Sequence, residues 1–106
     1  MTAVVELVTF KLVEGTNEAQ VAATYEGVND ILAAQPGFHY RSQSHDGKGN
    51  WYDVVYWENM QMAKAGSAAF IDSAAGQALC ALIDEESCTV LHMDISTSTM
   101  ACDIAS

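Results

Sequence analysis

The chain has 106 residues, half of them apolar, with 14 Asp plus Glu against 4 Lys plus Arg and a formal charge of -10 at pH 7. One domain fits that length, and the apolar half sets it apart from disordered chains. The four cations, Lys11, Arg41, Lys48 and Lys64, are too scattered to make a phosphate-binding surface, which excludes nucleic acid and anionic membranes as partners.

The opening MTAVVELVTF has no basic segment and holds Glu6 inside its apolar run, so no secretory leader is expected. No apolar run approaches the roughly 20 residues that span a bilayer. Cys80, Cys88 and Cys102 are odd in number and sparse, which predicts reduced thiols in a cytoplasmic protein, with Cys80 a small core residue. Cys80, Cys88 and His92 lack C-x-x-C or H-x-x-x-H spacing, so no metal is expected.

Val4 to Val13 reads as a strand, and both of its parities are largely apolar, so both faces should be covered. Glu14-Gly15-Thr16 breaks it. Asn17 with Gln20 three residues on resembles a capping box, and Val21, Tyr25, Val28 and Leu32 fall on one helical face. That helix should stop near Gln35, because Pro36 disfavours α geometry in the residue before it. A polar edge strand follows from Phe38 to about His45. Strict alternation puts Phe38, Tyr40, Ser42 and Ser44 on one face, and His39, Arg41, Gln43 and His45 on the other.

Asp46-Gly47-Lys48-Gly49-Asn50 is a hairpin loop, and Trp51 to Glu58 is an aromatic, β-branched strand. Asn59 should cap a helix through Met60, Met62, Ala63, Ala69 and Phe70. Asp72-Ser73 should cap a second through Leu79, Leu82 and Ile83. Asp84-Glu85-Glu86 reads as a solvated helix end whose charge opposes the helix dipole. A last strand runs from about Cys88 to Ser96. Residues 1–96 thus form one domain and residues 97–106 a polar tail.

The order β-α-β-β-α-β, with the second helical segment broken near Asp72, is the ferredoxin-like α+β arrangement. Right-handed crossovers place the four antiparallel strands in the order 4-1-3-2. Helices cover one sheet face, yet the first and third strands are apolar on both parities. A homodimer through the open sheet face follows, because a small domain seldom leaves such a patch to water.

The run V-V-E-L-V-T-F-K-L-V-E-G, the helix end Q-P-G-F and the strand Y-D-V-V-Y-W-E-N before a Met/Ala-rich helix resemble antibiotic biosynthesis monooxygenase-like domains of the dimeric α+β barrel superfamily. The resemblance spans roughly Val4 to Ile95. It implies a dimer with a small-molecule pocket between sheet and helices, in some members oxidising quinol-like substrates with dioxygen and no cofactor. Haem-degrading members are similar in using an Asn, a Trp and a His at positions that fall here near Val8, Gly66 and Gly76. None matches, which speaks against haem degradation.

The resemblance and the residue types together nominate the site. Trp57 matches the family's strand-end Trp and can stack on a flat ligand, or simply seal strand to helix. Tyr25 and Asn29, one helical turn apart, can present a hydroxyl and an amide, while Tyr56 can line the pocket. His92 sits mid-strand beside the first strand, within reach of Glu6, as a candidate base or a satisfied core histidine. His39 and Arg41 share a strand face and can hold a phenolate, or merely face water. His45 at the hairpin reads as a surface residue. No G-x-S-x-G context or phosphate loop occurs.

Two main readings result, beside an isomerase or lyase of the same fold that would use similar residues. In the first, the protein is a cofactor-independent monooxygenase, needing no cofactor or metal, in which His92 or His39 deprotonates an aromatic or quinol-like substrate. In the alternative it is a non-catalytic dimeric module that binds a small apolar or aromatic ligand, in a binding or stress-related role.

Overall fold

A computed structural model describes residues 2–100. Strands β1 (Val4–Phe10), β2 (Phe38–His45), β3 (Trp51–Trp57) and β4 (Thr89–Asp94) form one sheet in the order β2-β3-β1-β4, every neighbouring pair antiparallel. This is the ferredoxin-like order that the chain pattern predicts. Helices α1 (Glu18–Ala22), α2 (Tyr25–Ala33), α3 (Met60–Asp72) and α4 (Ala74–Cys80) supply the second layer. Val21, Val28, Leu32, Ala63 and Leu79 from the helices meet Val4, Phe10, Trp51, Val55 and Trp57 from the sheet in one buried cluster. Among the described residues no helix is long and apolar enough to cross a membrane.

Caps form where the sequence offers them. The Asn17 side chain accepts from the Gln20 amide while the Gln20 side chain accepts from the Asn17 amide, and Asn59 and Ser73 cap α3 and α4. The helix expected between Asn17 and Gln35 is two pieces. At the join the Thr24 hydroxyl donates to the Val21 carbonyl at 2.7 Å, offering the backbone a turn in place of a continued helix.

Three further expectations change. First, β1 ends at Phe10 rather than Val13: the Val13 amide donates to Leu82 and the Asp84 amide to Lys11, so residues 11–13 pair with the chain after α4. Second, Asp84-Glu85-Glu86 is not a helix C-terminus. Asp84 caps the 3₁₀ turn Glu85–Ser87, so the acids sit at the favourable end of its dipole. Third, Cys80 is exposed rather than core, because α4 turns its apolar side inward through Leu79. Burial of part of each thiol pushes Cys80 and Cys88 above the usual cysteine value, with Cys88 adding to the effect on Cys80. Cys102 and the tail beyond residue 100 lie outside the described residues.

The register fixes the two faces of the sheet. Glu6 pairs with Val55 and with His92, so Val4, Glu6, Val8, Phe10, Trp51, Asp53, Val55, Trp57 and His92 all point toward the helices. The opposite face carries Val5, Leu7, Val54, Tyr56, Leu91 and Met93, with Leu91 47% and Met93 39% exposed.

Gly66 on α3 packs directly against the sheet. A Cβ there would lie 2.0 Å from the Trp57 ring, which is fully buried and edge-on to Phe38. Gly66→Ala should gain about 1 kcal/mol of helix propensity but lose more to overpacking, for a net destabilisation on the order of 1–2 kcal/mol. Thermal unfolding followed by circular dichroism checks this, and an unchanged or raised midpoint would show that Trp57 can move aside.

Candidate active site

Two polar clusters stand on the inner sheet face, where alternation places a carboxylate among apolar neighbours. The first centres on Glu6 of β1, 8% exposed. Its Oε1 accepts from Trp57 Nε1 at 3.0 Å, and the Ser67 hydroxyl of α3 lies 3.0 Å from both carboxylate oxygens. His92, opposite Glu6 on β4, brings Nε2 to 3.6 Å from Oε1. That nitrogen is buried with no hydrogen-bond partner.

The second cluster centres on Asp53 of β3. Arg41 forks onto it, Nε to Oδ1 at 2.8 Å and Nη2 to Oδ2 at 2.5 Å, while Gln43 Nε2 donates to Oδ2 at 3.3 Å. Arg41 Nη1 donates to Asn29 Oδ1 of α2 at 2.8 Å. Side-chain exposures of 6% for Arg41 and 10% for Asp53 make this a buried ion pair.

Between the clusters lies a cavity of about 60 Å³. Its polar wall is Glu6, Ser67, Arg41 and Asp53; Val8, Phe10, Leu32, Val55, Phe70, Leu79 and Ile83 complete it. With the Arg41 charge committed to Asp53, Glu6 leaves the wall one negative charge in excess whenever His92 is neutral.

The structure brings together part of the predicted set. Arg41, Asn29 and His92 belong to the two clusters; Arg41 faces inward through the unbroken hairpin register with Val55, but β2 carries a bulge between Phe38 and Tyr40, ahead of it. The bulge breaks the strict alternation: Phe38 packs inward against Trp57, Tyr40 pairs with Tyr56, and the exposed His39 no longer shares a face with Arg41. His39 and Tyr56 line a groove on the other side of the sheet, with Tyr40 and Met100. Trp57 and Tyr56, adjacent on one strand, point to opposite faces and cannot line one pocket. Tyr25 is 41% exposed at the start of α2 and is not part of the cavity wall. Trp57 is sealed between strand and α3, its indole N–H spent on Glu6. His45 stacks 4.6 Å from Trp51 and pairs with Glu18 at 3.1 Å, at the end of the sheet.

Asp53 and Ser67 were missed as site residues, and Glu6 was noted only as a neighbour of His92. The signal for the two carboxylates lay in the sequence: each is the one charge on an otherwise apolar parity of a central strand. No group of three His, Cys, Asp or Glu side chains among the described residues is arranged to hold a metal ion.

A single antiparallel sheet in the order β2-β3-β1-β4 with helices on one face and a polar-lined cavity between them defines a two-layer ferredoxin-like α+β domain. The chain superposes on SnoaB of Streptomyces nogalater, described as a cofactor-independent oxygenase, with a TM-score of 0.74 at 16% identity over 92% of this chain and 97% of that one. It superposes on ActVA-Orf6 of Streptomyces coelicolor, a monooxygenase solved with the ligand Nanaomycin D, with a TM-score of 0.68 at 20% identity over 95% and 94%. NE2512 of Nitrosomonas europaea, of unknown function, gives 0.67 at 16% identity over 96% and 97%. No family model matches the chain, and no curated protein does. The fold is therefore that of antibiotic biosynthesis monooxygenase-like proteins, while activity has to be argued from this chain's own residues.

The buried pair sets a stability test. Asp53→Ala strands the Arg41 guanidinium in an apolar wall and should cost about 3–5 kcal/mol in denaturant unfolding. The double variant Arg41→Met with Asp53→Leu should cost clearly less than the sum of the two single changes. Additive losses would mean that Arg41 and Asp53 act independently.

Proposed function

We propose that the protein is a homodimeric α+β barrel of the cytoplasm that binds a small aromatic molecule between sheet and helices and oxidises it with dioxygen, without a cofactor. The observation that carries this reading is the cavity itself: an apolar chamber with a carboxylate, a hydroxyl and a committed guanidinium on one wall. Such a chamber can orient a phenolic or quinol-like ring and take a proton from it.

In the chemistry this supports, the ligand's O–H bond breaks and its electron pair delocalises onto a ring carbon that bears C–H bonds. Dioxygen forms a C–O bond there, giving a peroxide that takes up the proton. Loss of water then leaves a carbonyl, so one oxygen atom enters the product, the other leaves as water, and the electrons come from the substrate's C–H bonds. The shared fold with SnoaB and ActVA-Orf6 supports the same class of reaction.

Cavity size argues for a gate. About 60 Å³ is well under the roughly 150 Å³ that lets a buried apolar cavity take benzene. A ring enters only when wall side chains move, and Phe70 and Ile83 are the half-buried ones at the helical side.

The same numbers favour a second reading, a non-catalytic binding or stress-related module. Glu6 and Asp53 already have partners and the chamber is small, as expected of a site that holds a ligand without turning it over. Oxygen uptake by the purified, metal-free protein with a panel of dihydroquinones separates the two. Uptake above the buffer rate is expected, and its absence across the panel would leave the binding reading standing.

The dimer is supported by the apolar outer face of Val5, Leu7, Val54, Tyr56, Leu91 and Met93. Light scattering at micromolar concentration should give twice the chain mass, and Leu91→Asp should give the monomer. A wild-type monomer would overturn this assignment.

A further inference from the structure

Glu6 is a charged group placed where a charge is costly, and its partners do not exhaust it. A carboxylate offers about four lone-pair sites. Oε1 takes the Trp57 N–H, whereas Oε2 faces only the single Ser67 hydrogen that both oxygens share. Oε2 therefore retains room for a donor, and Glu6 lines the cavity. Asp53, by contrast, is occupied by Arg41 and Gln43.

We propose that Glu6 is the acceptor that selects the ligand: the cavity takes a neutral aromatic ring bearing one hydroxyl donor, which bonds to Glu6 and, in turnover, gives up its proton through Glu6 to His92. This rests on the reading of the cavity as an aromatic site, and it assigns the proton step to a residue other than the two histidines that the sequence nominates.

Three features exclude the other ligand classes. An aromatic carboxylate would bring a second negative charge against Glu6 in a dry chamber, with Arg41 already neutralised by Asp53 and tied to Asn29. An ammonium would meet the Glu6 charge but needs three acceptors, and Asp53 already takes three donors, which leaves it Glu6 and the Ser67 oxygen. A ring with no donor leaves Oε2 desolvated with only a share of the Ser67 hydrogen.

His92 completes the path. Its Nε2 is buried, unpartnered and 3.6 Å from Glu6 Oε1, just beyond hydrogen-bond distance. The side chain as a whole is 20% exposed, which opens it to water. In the transfer the ligand O–H bond breaks and its electron pair stays on oxygen. The proton passes to the Glu6 carboxylate and from there to Nε2, and the imidazolium releases a proton to solvent. His92 does not line the cavity, so it acts through Glu6 and is a positioning residue.

The structure supplies its own reporters. Trp57 donates to Glu6, so its indole N–H resonance senses what Glu6 binds, and with only two Trp and three His in the chain each ring can be assigned. Phenol, anisole, benzoate and benzylammonium are titrated into the labelled wild-type protein at pH 7, where phenol stays protonated as tyrosine does. Phenol should shift the Trp57 indole saturably, and each of the other three should bind at least about tenfold more weakly. Phenol should also move the side-chain nitrogens of His92 and leave those of His39 and His45 in place.

In Glu6→Gln, shown folded by circular dichroism, the phenol-over-anisole preference should fall to near parity. Wild-type selectivity alone decides the matter if that variant does not fold. Benzoate or benzylammonium binding as well as phenol, or a preference that survives Glu6→Gln, would overturn the role of Glu6. A Trp57 shift without a His92 shift would overturn the path to His92. Selective phenol binding with no oxygen uptake from any dihydroquinone would sink the monooxygenase reading alone, and uptake without this selectivity would sink only the present one.

Discussion

Two carboxylates, Glu6 and Asp53, face the helical layer from the two central strands, and the rest of the inner face is arranged around that constraint. A buried ionised carboxylate loses its hydration, and only hydrogen bonds or a counter-charge offset the several kcal/mol involved. At Asp53 the answer is the Arg41 fork, with Gln43 beside it. At Glu6 it is an indole N–H and a serine hydroxyl. Each answer reaches back into the backbone. Arg41 reaches inward because the hairpin register sets it opposite Val55, and Trp57 reaches Glu6 because α3 has no side chain at Gly66.

Apolar residues of similar volume at these positions would pack at least as well, and replacing a buried ion pair with them is often stabilising. In a domain of this size stability is scarce. Polar groups that break the local pattern of a central strand are therefore the expected mark of a functional site rather than of a fold requirement. That inference falls on Glu6 with more force than on Asp53. Asp53 and Arg41 neutralise each other, whereas Glu6 keeps its charge and an open lone pair beside the cavity.

Fold and site were legible in the sequence to different depths. Strand order, three of the caps and the apolar second face of the sheet followed from period and turn chemistry, because each depends on neighbours in the chain. The site depends on register. A bulge of one residue at His39 reverses the face of everything before it, which separated His39 from Arg41 and moved Phe38 inward. Nothing in F-H-Y-R-S-Q-S-H announces that extra residue. The break of the first helix at Thr24 is similarly quiet, one hydroxyl turning back to a carbonyl three residues earlier. Trp57 and Tyr56 could have been separated from period alone, since adjacent strand residues always point apart.

The likeness to cofactor-independent oxygenases and the electrostatics of the cavity bear on different questions. Shared backbone at 16–20% identity speaks to the fold, and a protein of unknown function shares that backbone at a similar TM-score. What a chamber does is set by the charge it keeps. In the proposed oxidation by dioxygen without a cofactor the electrons come from the substrate, so the part left to a protein is to make the ring electron-rich by removing a proton while excluding water. A saturated carboxylate cannot do that, and neither can an exposed histidine on the far side of the sheet. Glu6, dry, unsaturated at Oε2 and backed by an unpartnered imidazole, meets both requirements on a wall that is otherwise neutral.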